Sequence, residues 1–170
     1  MANKDERILA VDARSSSFGF VVFDGPNRLL DWGVKSFRRG VNAVKLPASG
    51  KVPALLDEFS PRAIVLRTLD WHDAAKQPEL RETILGEAAK RRIPLKFVSR
   101  SAVKNAFAGA NRNKYAVAAQ VSARFPELAP KLPALHKIWM SEEYWLSVFD
   151  AASLGVTYFR RFEPSISVHS

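Results

Sequence analysis

The chain has 170 residues, 47% hydrophobic and 25% charged, the profile of one globular domain rather than a disordered segment. It has no cysteine, which excludes disulfides, thiolate metal centres and cysteine nucleophiles. Its 26 lysines and arginines against 17 acids give a net charge of +9, a surplus that favours a polyanionic partner, because neutralised phosphates release counterions.

The opening MANKDER is charged and lacks the apolar centre of a signal peptide. No apolar run reaches the roughly 18 residues of a membrane span. A cytoplasmic protein without membrane contact is the expectation. Residues 7–13 (RILAVDA) read as a buried strand, 17–25 (SFGFVVFDG) as a second and 28–37 (RLLDWGVKSF) as a third. The short turns between them predict an antiparallel meander. A loop rich in basic residues, Gly and Pro follows over 38–50. KVPALLDEF (51–59) is a short helix stopped at Ser60-Pro61. Residues 62–70 are a fourth strand, about 74–92 a helix and 93–99 a fifth strand. The helix ends in Lys90-Arg91-Arg92, which suits the negative end of its dipole. Helices are expected over 101–108, 113–124 and 141–160. Between the last two, the three prolines of 125–140 read as a long connection. This order predicts an α/β domain over 1–162, a five-stranded mixed sheet flanked by helices, and a frayed tail over 163–170.

Two carboxylates are placed to meet. Asp12 ends the first strand, which is central in an open sheet of this order. Asp150 sits in VFDAASLGVTYF (148–159), an apolar helix that must pack on that sheet. Facing carboxylates repel, so such sites hold Mg²⁺ or Mn²⁺ or pair with a cation. Lys104, Arg112 and Lys114 cluster around Gly109 between two predicted helices, where a helix start offers N–H groups to phosphate. The alternative for these three is a solvated basic turn. The rings of Trp71, Trp139, Tyr144 and Trp145 are candidates either for stacking on an unpaired base or for ordinary packing.

With these residues in view, the chain resembles the RuvC-like Holliday junction resolvases, which have a ribonuclease H-like fold. Gly19 lies seven residues after Asp12, as in that family, while Ala13-Arg14 replace its Pro-Gly pair. VSRSAVKNAFAGANRNKYAVAAQV (98–121) looks like its helix–glycine–helix segment, with Lys104 and Lys114 at the two lysine positions. FDAASLGVTYF looks like its last helix, with Asp150 at the final metal ligand. The resemblance implies a branched-DNA partner, a homodimer and Mg²⁺- or Mn²⁺-dependent phosphodiester hydrolysis, with Asp12 and Asp150 as catalytic metal ligands.

Two of the family's four acids are missing. The glutamate six residues after a strand-four proline becomes Arg67, counting from Pro61. The acid three residues before the final aspartate becomes Ser147. Arg67 is thus a candidate metal-replacing cation, paired with Asp12, Asp150 or both. The expected function is binding of structured or branched DNA with weakened or lost nuclease activity and no cofactor. The rival is an active Mg²⁺-dependent junction endonuclease. In that case Asp70 is a further candidate ligand, and Asp73, His72 and Glu143 are weaker ones. A third class is a phosphate-handling lobe similar to the actin-like sugar kinases, on the strength of DARSSSFG alone. Nucleotide binding discriminates it.

Overall fold

A computed structural model describes residues 6–14, 17–36, 50–68, 78–107, 114–132 and 142–161. Its five strands are β1 (Arg7–Ala13), β2 (Ser17–Asp24), β3 (Leu29–Ser36), β4 (Ala63–Arg67) and β5 (Leu95–Val98). They form one sheet in the order β3-β2-β1-β4-β5. β1 pairs antiparallel with β2, and β2 with β3. β1–β4 and β4–β5 are parallel. The expected mixed sheet, with three antiparallel strands first and β1 at its centre, is therefore present. β4 and β5 are shorter than their apolar runs, because pairing stops at Arg67 and Val98.

Five α-helices accompany the sheet: α1 (Lys51–Phe59), α2 (Pro78–Arg91), α3 (Arg100–Ala106), α4 (Lys114–Arg124) and α5 (Glu142–Arg161). Alternation along the strands sorts side chains onto two faces. Ile8, Ala10, Val21, Phe23 and Val65 form one core with α5. Leu9, Val11, Phe20, Val22 and Ile64 form the other with α1 and α2. By the same alternation Asp12 and Arg67 belong to the α5 face.

The proline-rich stretch after α4 departs from expectation. Pro126–Lys131 is a 3₁₀ helix, with buried Leu128 inside it and buried Phe125 just before it. Proline's fixed φ suits the first turn of a helix, so Pro126 starts structure there instead of ending it. The 38–49 loop and the tail over 163–170 lie outside the described residues.

α5 sits unusually close to the sheet, and two glycines make this possible. A Cβ on Gly19 of β2 would lie 2.3 Å from the Ser147 backbone carbon. One on Gly155 of α5 would lie 2.1 Å from the Phe23 ring. The helix thus runs along β2 from Gly19 to Phe23 with nothing but hydrogen between backbone and neighbour at both ends. Phe23 then fills the space beyond, edge-on to Phe125 and Phe159 at 5.7 and 5.6 Å. Two hydroxyls on this buried helix are satisfied within it. Ser153 donates to the Asp150 carbonyl and Thr157 to that of Ser153, each at 2.7 Å.

Candidate functional site

Strand register and the α5 contact together bring the carboxylates into one place. Asp12 lies opposite Gly19 in the β1–β2 ladder. Gly19 abuts Ser147, and Asp150 is one helical turn further along α5. On the other side of β1, the last recorded pair with β4 is Val11–Leu66. One further step sets Asp12 beside Arg67. Asp12 and Asp150 are both buried, with side chains 3% and 13% exposed.

Two guanidinium groups bridge them. Arg67 Nη2 is 3.2 Å from Asp12 Oδ1 and 3.7 Å from Asp150 Oδ2. Arg14 Nε donates to Asp12 Oδ2 at 2.6 Å, and Arg14 Nη2 donates to Asp150 Oδ2. Each arginine touches both acids. The cluster holds two positive and two negative side chains.

Burial, followed by the neighbouring Asp150 charge, pushes the Asp12 carboxyl above its ordinary value, while Arg14 and Arg67 pull it down. The upward direction follows from depth: Asp12 is almost dry, whereas both arginines keep about a quarter of their side-chain surface in solvent.

Arg67 was legible as a counter-ion from its position relative to Pro61. Arg14 was seen only as a departure from a Pro-Gly pair. The missed signal was simple: Arg14 lies two residues beyond Asp12, so strand alternation returns its side chain to the same face. Ser147 is fully buried against Gly19.

The other candidates divide. Lys104 is exposed on α3, where it shares a helix face with exposed Arg100 four residues earlier. Lys114 starts α4, but its side chain, like that of Glu143, is outside the described set, and so are Asp70, His72, Asp73 and Arg112. Of the aromatic candidates, Trp145 is half-buried. It packs edge-on to Trp32 at 6.3 Å, and Lys131 Nζ lies 4.3 Å from its ring centroid. Packing, not an open stacking platform, is its observed role. Trp71 and Trp139 are outside the described residues, as is the Tyr144 side chain.

A divalent ion does not fit this arrangement. The space between the carboxylates is taken by guanidinium nitrogens at 2.6–3.7 Å. Two like unit charges about 4 Å apart repel by roughly 4 kcal/mol at an effective dielectric constant of 20. An ion of charge +2 would meet two such neighbours. Among the described residues, no group of three or more His, Asp or Glu side chains stands ready to compensate.

No protein-family model matches the chain, and no curated protein matches it. Solved structures do. RuvC of T. thermophilus in complex with a Holliday junction substrate is similar at a TM-score of 0.65 and 19% identity, over 92% of this chain and 96% of that one. A second Thermus thermophilus RuvC structure gives 0.64 and 19% over the same shares. The yeast mitochondrial Holliday junction resolvase gives 0.57 and 15%, over 92% of this chain and 78% of that one. The fold is thus ribonuclease H-like, of the RuvC type. Among the described residues, no helix is long and apolar enough to cross a membrane.

Proposed function

We propose that this chain binds branched DNA through a basic face and has lost, or retains only weakly, metal-dependent strand cleavage. The observation that carries the reading is the double bridge of Arg14 and Arg67 across Asp12 and Asp150. In a two-metal nuclease, cations clamp the attacking and leaving oxygens of the phosphodiester. Here fixed guanidinium groups neutralise the acids instead. They can hold an anion, but they do not lower the pKa of a water to make a nucleophile. The RuvC-type fold, the net charge of +9 and exposed Lys104 and Arg100 support the polyanionic partner. The solved relative with a Holliday junction supports branched DNA within that class.

The rival reading is an active Mg²⁺-dependent junction endonuclease, and the meeting of Asp12 with Asp150 is what favours it. Incubation with a labelled four-way junction and Mn²⁺ separates the two. The expected result is a retarded complex, preferred over linear duplex, with no product strands. Cleavage that disappears in Asp12→Asn would establish the endonuclease.

A further inference from the structure

The ion cluster is layered by depth. Its carboxylates lie inside, 3% and 13% exposed, and its guanidinium groups lie outside, 27% and 22% exposed. A ligand arriving from solvent meets nitrogen first. Arg67 makes both of its ion pairs among the described residues through Nη2, so neither pair engages its Nε–H or Nη1 donors. Arg14 is fixed by bonds to both acids, so its side-chain entropy is already spent before any ligand binds. Two partly exposed guanidinium groups held by the same pair of carboxylates offer N–H donors suited to phosphate oxygens.

We propose that Arg14 and Arg67 form a metal-independent seat for one nucleic-acid phosphodiester group, with Asp12 and Asp150 acting as the buried backing that holds the two forks in position. This rests on the branched-DNA reading and gives the former carboxylate site a binding role in it. The two acids offset the formal charge of the two arginines, so the seat works through oriented N–H donors, and a phosphodiester with a single negative charge suits it better than a more highly charged anion. The acids compete with the ligand for the same guanidinium groups. The seat therefore tightens when an acid is neutralised and weakens when an arginine is.

The test is junction affinity in EDTA across a salt series, for the native chain, Arg67→Gln and Asp150→Asn. Arg67→Gln is expected to weaken binding about tenfold and to flatten the log–log salt slope by about 0.9, the loss of one phosphate contact. Asp150→Asn is expected to tighten binding several-fold. Unchanged affinity in Arg67→Gln overturns the seat, and so does unchanged or weaker binding in Asp150→Asn, which answers the question even if the arginine variant fails to fold. Junction preference that persists with Arg67→Gln indifferent overturns the seat and spares the branched-DNA reading. Inorganic phosphate, compared with chloride at matched ionic strength, supplies the other arm. Thermal stabilisation of the native chain that Arg67→Gln lacks, with no binding of junction or duplex, overturns the nucleic-acid seat together with the branched-DNA reading and leaves a site for free phosphate.

Discussion

Replacing Arg14 and Arg67 together by alanine is expected to destabilise the fold by about 3–5 kcal/mol at neutral pH, the cost typical of stripping the partner from a buried charge. Either single variant leaves one fork across both acids and should cost much less. The double variant leaves Asp12 and Asp150 facing each other in a dry site. Burial and the Asp150 charge already lift the Asp12 carboxyl above its ordinary value, against the pull of the two arginines. Without that pull its folded value rises further. An acid whose folded pKa exceeds its unfolded one holds its proton more tightly in the native state. Its contribution to stability is then lost as pH rises from the ordinary carboxylate range through the raised value, and regained below that range. The deficit should therefore be largest near neutrality and shrink on acidification. Urea denaturation of native and double-variant protein at several pH values measures it. A deficit below about 1 kcal/mol, or one that grows in acid, would show that the arginines do not neutralise the pair.

Gly19→Ala is expected to cost about 3 kcal/mol, at the upper end of ordinary overpacking penalties, and to lower Tm by about 6–12 °C for a domain of this size. The added methyl falls 2.3 and 2.4 Å from the backbone carbon and oxygen of Ser147. No rotamer change relieves a clash with backbone, so α5 must lift from β2. Asp150 rides on that helix one turn beyond Ser147, and its bridges to Arg14 and Arg67 should loosen with it. Thermal melting reads the stability, and junction affinity reads the site. Gly86, on α2, offers a control, because a Cβ there meets nothing within 4 Å. Gly86→Ala should be neutral or slightly stabilising by helix propensity. Equal melting of Gly19→Ala and Gly86→Ala would contradict the close approach.

Much of this fold was written in local pattern. The runs RILAVDA, SFGFVVFDG and RLLDWGVKSF are apolar enough, and their turns short enough, that an antiparallel meander is close to the only way to bury them. Asp12 and Asp150 could be paired in advance because a central strand and an apolar last helix must touch. Arg67 could be added by counting from Pro61. Three features were not legible, for different physical reasons. Arg14 required strand alternation to be carried one residue past the strand end. The tightness of α5 on β2 depends on Gly19 and Gly155 meeting their neighbours at a particular register, which no single-segment pattern encodes. The 3₁₀ helix at Pro126–Lys131 was hidden because proline reads as a stop, although at a first turn it is a start.

The central claim is that guanidinium groups, and not a divalent ion, neutralise Asp12 and Asp150. Titration calorimetry of the native chain with Mn²⁺ tests it most directly. The expected trace shows only dilution heat and weak, unsaturable binding, indistinguishable from that of Asp12→Asn. Saturable binding of one or two ions per chain, abolished in Asp12→Asn, would contradict it.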